Sequence, residues 1–171
     1  MIRILDERIA IPKELVLIPT FAILTALGAK VRLPLGFTPV PVTLQVLFVL
    51  LSGSFRHGYL SQLLYLSLGI AGVPLFSLGG GVGYLFGPTG GYLLAFPLAS
   101  ILINIFVERR WSFYIASFCA VAIIYFIGTA QLANYLALPY LKALQLGALP
   151  FIPYDIIKSI IAARLMVEIS K

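Results

Sequence analysis

Charged residues are scarce in this chain of 171 amino acids. Asp, Glu, Lys and Arg together make up 11% of the residues and hydrophobic residues make up 61%, whereas about one-quarter of a soluble domain is charged. The mean hydropathy of +1.05 indicates an integral membrane protein without a soluble catalytic module. At about 20 residues per span, the sequence has room for roughly five to seven transmembrane helices. We expect one domain, residues 1–171.

Cysteine and histidine are almost absent. Cys119, the single cysteine, lies within an apolar segment, which excludes disulfide and multi-cysteine metal frameworks. His57, the single histidine, follows Arg56 in a short polar break and is best explained as a loop residue. No Ser-His-Asp set and no cluster with metal-ligand spacing is present. The sequence therefore predicts no catalytic residue, no metal site, no cofactor and no enzyme.

Apolar runs and breaks predict an all-α protein with six transmembrane helices. The spans are expected at residues 14–28, 42–54, 59–71, 92–107, 111–138 and 154–167. A proline-rich loop, residues 34–41, separates the first two spans, since three prolines in eight residues rule out a regular helix. A glycine-rich loop, residues 72–91, carries no charge. Because backbone at membrane depth must be buried or line a cavity, we expect this loop to cover a pocket as a lid. A break with several prolines is expected before the last span.

The net charge of +6 is spread over segment ends without a dense run, which argues against a nucleic-acid partner and favours a role in membrane topology. With cytosolic N- and C-termini, eight basic residues lie inside and three outside. The inner set is Arg3, Arg8, Lys13, Arg56, Arg109, Arg110, Arg164 and Lys171, and the outer set is Lys30, Arg32 and Lys142. Both loops and the start of the sixth helix then share the outer side of the lipid bilayer, where they enclose an outward-facing pocket.

Asp155 and Lys158 are opposite charges three residues apart in the otherwise apolar last span. Burying ionised groups at membrane depth is energetically unfavourable, so such a pair indicates a candidate functional site. Residues i and i+3 share a helix face, so both side chains can reach one small polar group. Two alternatives remain open: an ion pair that only locks helix packing in a structural scaffold, and a proton relay in a small channel or carrier.

Further candidate residues lie near the predicted pocket. Thr89, Gly90 and Gly91 come at the start of the fourth helix, where free backbone N–H groups favour an anion, although a tight turn explains this motif equally well. The other candidates for the pocket are two aromatic residues and one polar residue, namely Tyr84, Tyr92 and Gln45.

Four sequence motifs resemble a known family in the same order. They are residues 36–45 (GFTPVPVTLQ), 61–74 (SQLLYLSLGIAGVP), 86–92 (FGPTGGY) and 150–158 (PFIPYDIIK). Together they closely resemble BioY, the biotin-binding S component of energy-coupling factor (ECF) vitamin transporters. The similarity covers nearly the whole chain, and the combination is far more specific than any one motif.

The resemblance implies a six-helix bundle in the bacterial cytoplasmic membrane that captures biotin near the outer face. It also implies partners: a transmembrane T subunit and two ATP-binding-cassette ATPases, which would hydrolyse ATP in place of this chain. The family's binding-site Asp and Lys correspond to Asp155 and Lys158, and its T-subunit motif on the first helix falls on Ala22 and Ala26.

Biotin's chemistry suits these residues. We expect Asp155 to accept a hydrogen bond from a ureido N–H and Lys158 to donate one to the ureido carbonyl. The biotin carboxylate would then lie apart from this pair, near the backbone N–H groups around residues 89–91.

Overall fold

The computed structural model describes residues 13–169, which form seven α-helices and one short hairpin. The helices are α1 (Lys13–Lys30), α2 (Gln45–Ser52), α3 (Tyr59–Ile70), α4 (Gly90–Glu108), α5 (Phe113–Leu136), α6 (Tyr140–Gly147) and α7 (Ile152–Ile169). Short 3₁₀ turns lie at Val82–Phe86 and Leu149–Phe151. The hairpin pairs β1 (Arg32–Leu33) antiparallel to β2 (Val42–Thr43). The predicted helical class is confirmed.

Within residues 13–169, three helical segments are long and apolar enough to cross a membrane. They are α4, α5 and the stretch Tyr140–Glu168, which contains α6 and most of α7. Helix α3 is apolar but shorter. The count of six spans therefore stays a prediction, and the predicted cytosolic termini lie outside the described residues.

The second predicted span begins later than the sequence indicated. Val42 and Thr43 form β2, and α2 covers only the eight residues Gln45–Ser52. The β-branched side chains of residues 42 and 43 favour a strand, and Leu33 and Arg32 provide its partner. The hairpin holds the two ends of the proline-rich loop together beside the end of α1.

The predicted break before the last span contains a further helix. Residues 140–147 (YLKALQLG) form α6, and α7 then begins at Ile152, two residues earlier than expected. Leu, Lys, Ala and Gln are strong helix formers, so this stretch folds as a helix despite the flanking prolines. Pro139 immediately precedes α6 and Pro153 lies in the first turn of α7, positions at which proline interrupts no helical hydrogen bond.

The glycine-rich segment, residues 72–91, is attached to the end of α1 and to β1 by two cations. Lys30 Nζ donates to the carbonyl oxygens of Pro74 at 2.6 Å and Phe76 at 2.8 Å. Arg32 Nη1 donates to the carbonyl oxygen of Ser77 at 2.6 Å. Three backbone acceptors of an apolar loop are thus satisfied by side chains from another element, which fixes the loop against the helical bundle.

Phe76 anchors the same segment from inside. Its ring is fully buried and lies against Tyr65, with centroids 5.5 Å apart, and Tyr84, with centroids 5.0 Å apart. A Cβ atom at Gly69 would come within 2.2 Å of this ring. Glycine at that position therefore makes room for the anchor.

Small residues on α1 face the interior of the chain. Ala22 and Ala26 are both buried, as is Thr25 between them, because the absence of long side chains lets α1 approach α2 and α3 closely. The sequence interpretation assigned Ala22 and Ala26 to a contact with another subunit. Both side chains pack inside the chain, and the contact with another subunit stays a prediction.

Candidate ligand-binding site

A cavity of about 560 Å³, including its open mouth, lies among α2, α4, α5 and α7 beneath parts of the proline-rich and glycine-rich segments. Most of the wall is apolar or aromatic, from Val40, Pro41, Val46, Leu93, Phe96, Ile124 and Phe151. The cavity therefore suits a ligand with a largely apolar body.

Asp155 and Lys158 lie together in the cavity wall, on the first turns of α7. Lys158 Nζ donates to Asp155 Oδ1 at 2.6 Å, and both residues are buried. They are the only charged residues among those that line the cavity. The wall thus offers a cationic donor and an anionic acceptor side by side, with no net charge.

Tyr125 completes this cluster, and sequence reasoning did not identify it. Its hydroxyl donates to Asp155 Oδ2 at 2.6 Å, and its side chain lines the cavity from α5. Each Asp155 oxygen therefore has its own donor, Lys158 on Oδ1 and Tyr125 on Oδ2. The one signal in the sequence is a tyrosine in the middle of an apolar span, where a buried hydroxyl needs a partner.

Gln45 lines the cavity from the first turn of α2. Its Nε2 donates to the Tyr65 hydroxyl at 2.6 Å, and its Oε1 accepts from Thr43 Oγ1 at 3.1 Å. Thr43, which the sequence analysis did not single out, lines the cavity beside it. These bonds fix the orientation of the amide before any ligand arrives.

Tyr84 lines the cavity from the glycine-rich segment, together with Ser77. The two hydroxyl oxygens are 3.0 Å apart, and the Leu78 N–H donates to the Tyr84 hydroxyl at 3.2 Å. Two aromatic residues close by in the sequence, Phe86 and Tyr154, are exposed and do not line the cavity.

Thr89 and Tyr92 line the cavity at the start of α4. The Tyr92 hydroxyl donates to the Gly147 carbonyl at 2.8 Å, so its ring forms the wall while its polar end is bonded elsewhere. Thr89 immediately precedes α4, and its side chain makes no capping hydrogen bond. Its hydroxyl is a polar group of the wall that remains available to a ligand.

Gly90 and Gly91 do not line the cavity, in contrast to the sequence expectation. They are the first residues of α4, and they allow it to approach α5. A Cβ at Gly90 would lie 2.5 Å from Gln131 Nε2, and one at Gly91 would lie 2.7 Å from the Ile127 oxygen. The Gly90 N–H already donates to the Gly87 oxygen at 3.3 Å. The structure therefore uses both glycines for helix contact.

Within residues 13–169, no group of three or more His, Cys, Asp or Glu side chains could hold a metal ion. The arrangement of Asp155, Lys158 and Tyr125 is instead a set of fixed donors and acceptors at one part of an apolar cavity. It fits recognition of a neutral polar group that presents both N–H donors and a carbonyl.

Comparison with known proteins gives the family. The model of the BioY family matches residues 5–171. This chain belongs to the BioY family. Among its BioY relatives, the probable biotin transporter of Pyrococcus horikoshii is 42% identical over 161 residues, covering 90% of this chain and 96% of that one. The biotin transporter BioY of Thermotoga maritima is 39% identical over 166 residues, covering 93% of this chain and 96% of its own.

A solved structure supports the fold of this BioY-family chain. The 2.1 Å crystal structure of the S-component for biotin from an ECF-type ABC transporter superimposes with a TM-score of 0.84. The match covers 92% of this chain and 90% of that one, at 24% sequence identity. At this identity the likeness establishes a shared architecture.

Proposed function

We propose that this chain binds biotin with high affinity and takes it up across the cytoplasmic membrane as the substrate-capture subunit of an ECF-type ABC transporter. The observation that carries the proposal is the buried cluster of Asp155, Lys158 and Tyr125 in the wall of an apolar cavity. Membership of the BioY family supports it, since relatives across nearly the full chain are named biotin transporters.

The polar cluster matches the ureido ring of biotin. That ring is uncharged and presents N–H donors on either side of a carbonyl. Asp155 accepts from an N–H and Lys158 donates to the carbonyl, so the neutral ion pair meets a neutral group and no charge is left unpaired. The sulfur-containing ring and the alkyl chain lie against apolar wall residues such as Phe96, Ile124 and Phe151.

The biotin carboxylate lies at a different part of the wall. Lys158 is the only cation among the lining residues, and it is already paired with Asp155. Thr89 offers an uncommitted hydroxyl at the N-terminus of α4, a helix of 19 residues whose positive dipole end favours an anion. We therefore place the carboxylate near Thr89, with Tyr84 and Gln45 as further polar neighbours in the wall.

The proposed architecture is a single membrane domain, residues 1–171, with six spans and both termini in the cytosol. Helices α4, α5 and the stretch that ends with α7 provide three spans. Helices α1, α2 and α3 provide the other three, with the hairpin and the proline-rich loop extending the buried length beside α2. The two irregular segments then face outward over the cavity.

Energy for uptake comes from partner subunits. The sequence GPTGG at residues 87–91 lacks the Lys-Ser/Thr ending of a nucleotide-binding P-loop, so the chain relies on two ATPase subunits and a T subunit. A T-subunit contact at α1 remains part of the proposal. Since Ala22 and Ala26 are buried, the exposed neighbours Ile23 and Leu27 form the surface of α1 that this contact would use.

Equilibrium binding of radiolabelled biotin to the purified chain tests the proposal. We expect Asp155→Asn and Lys158→Met each to weaken binding by about 2 to 5 kcal/mol, or roughly tens- to thousands-fold. Glu108→Gln and Lys142→Met are matched controls, since both side chains are exposed. Failure of the wild type to bind biotin would contradict the proposed ligand. Equal binding by wild type and both site variants would contradict the site.

Uptake into vesicles tests the partner part of the proposal separately. We expect ATP-driven biotin accumulation only when the T subunit and the ATPases are present. Accumulation by the chain alone, at an equal rate, would show that it works without them.

A further inference from the structure

The cavity offers no free cation to a carboxylate. Lys158 is the only cation among the lining residues, and its ammonium group is paired with Asp155 at 2.6 Å. A carboxylate that enters an apolar cavity without a partner loses its hydration at a high cost in free energy. The carboxylate of bound biotin therefore keeps contact with water, and it lies at an opening of the cavity.

Tyr84 and Thr89 lie at such an opening. Both residues line the cavity, and both are partly exposed. They also line a second hollow, the surface cleft, whose other walls come from Pro39, Leu78, Gly83, Gly87 and Pro88. Pro39 lines the surface cleft, whereas the next residue, Val40, lines the cavity. The cavity and the surface cleft therefore adjoin each other at Tyr84 and Thr89.

The proline-rich and glycine-rich segments both contribute to the surface cleft, and they are not bonded to each other there. Among the described residues, no hydrogen bond joins residues 34–41 to residues 72–91. The glycine-rich segment is instead bonded to Lys30 and Arg32. A ligand chain that passes between the two segments therefore breaks no hydrogen bond between them.

We propose that the site also binds neutral amides of biotin, whose N-alkyl substituent passes Tyr84 and Thr89 and lies in the surface cleft. This inference rests on the proposed binding of biotin, and it widens the ligand class at the carboxyl end. Conversion of the carboxylate to an amide removes a charge that the cavity does not pair with a cation. The apolar side chains of Pro39, Leu78 and Pro88 in the surface cleft suit a chain of methylene groups.

Competition against radiolabelled biotin on the purified wild type tests tolerance at the carboxyl end. The competitors are biotin, its primary amide and its N-hexyl amide. We expect both amides to bind within about tenfold of biotin, because at most one hydrogen bond is lost. The hexyl amide should bind at least as tightly as the primary amide, since its chain gains apolar contacts in the cleft.

Two results with the wild type would overturn the proposal. A larger loss of affinity for the primary amide would show that the protein recognises the charge of the carboxylate through a charge-assisted contact. A primary amide that binds well beside a hexyl amide that does not bind would show that the carboxyl end is enclosed.

Gly83→Leu tests where the substituent lies. Gly83 lines the surface cleft but not the cavity, and a Cβ there would have no atom within 4 Å. Leucine fills part of the cleft, so the hexyl amide should bind about 4- to 15-fold more weakly, the effect of exposing about one or two methylene groups. Biotin and the primary amide should bind as they do to wild type.

Gly36→Leu is the matched control for this substitution. A Cβ at Gly36 would also have no atom within 4 Å, and Gly36 lines neither the cavity nor the surface cleft. We expect all three ligands to bind it as they bind wild type. An equal loss of all three ligands in Gly83→Leu, or a hexyl amide that this variant does not weaken, would overturn the assignment of the cleft. Failure of the proposed function would appear earlier, as a wild type that does not bind biotin.

Discussion

Removing the buried charges of Asp155 and Lys158 one at a time should lower both stability and biotin binding. Removing both together should restore stability but not binding. The pair spans 2.6 Å, and the side chains are only 5% and 9% exposed. Removing one member of such a pair leaves an uncompensated buried charge and costs about 3 to 5 kcal/mol. Replacing both members with neutral side chains of similar size leaves none, so the double variant should lie within about 1 kcal/mol of wild type.

Thermal unfolding of the purified protein measures these differences. A change of 1 kcal/mol shifts the midpoint by about 2 to 4 °C in a chain of this size. We therefore expect Asp155→Asn or Lys158→Met alone to lower the Tm by about 6 to 20 °C. Asp155→Asn falls at the lower end, since its amide oxygen still accepts from Tyr125. The double variant should melt within about 4 °C of wild type.

Biotin binding on the same preparations then separates recognition from helix packing. All three variants should lose affinity, including the double variant whose stability is restored. If the pair served only as a scaffold, binding would follow stability and return in the double variant. Additive losses, or single variants as stable as wild type, would refute the reasoning, because they would mean that the two charges are not desolvated together.

Two further predictions concern the cavity walls. Lys30→Met keeps the aliphatic stem but removes two hydrogen bonds to the glycine-rich segment. Bound radiolabelled biotin should therefore dissociate about 5- to 30-fold faster in a chase with unlabelled biotin. A dissociation rate equal to that of Lys142→Met would contradict this prediction. Gly128→Ala places a Cβ 2.3 Å from the Tyr92 ring, so the ring must shift in the cavity and biotin should bind more weakly. Gly36→Ala is the control, because a Cβ at Gly36 would have no atom within 4 Å, and it should bind biotin normally. Equal affinities of Gly128→Ala and Gly36→Ala for biotin would show that the Tyr92 ring moves away from the cavity instead.

The sequence indicated the helical class and the charged part of the site for one physical reason. An ionised pair in an apolar stretch is expensive, so Asp155 and Lys158 stand out without any knowledge of their surroundings. The proline-rich loop is visible for a similar reason, since proline removes a backbone donor and fixes the chain direction. Such features depend on local chemistry, which a sequence contains in full.

Other features depend on which helix face meets which neighbour, and composition does not contain that information. Tyr125 is one of nine tyrosines, and its partner Asp155 lies 30 residues away. Ala22 and Gly91 read equally well as contacts for another molecule or for another helix of the same chain. In the structure both residues are buried against other helices, where small side chains permit close approach.

The glycine-rich segment beside the cavity is held to α1 and β1 through the side chains of Lys30 and Arg32, and it is anchored inside by the buried ring of Phe76. Breaking those three hydrogen bonds leaves every helix intact. Movement of this segment exchanges the ammonium and guanidinium groups from backbone carbonyls to water, and it also withdraws the Phe76 ring from its contacts with Tyr65 and Tyr84. Opening of the cavity at this segment then depends on the hydration of two cations and the exposure of one aromatic ring, and it leaves the hydrogen bonds within the helices unbroken.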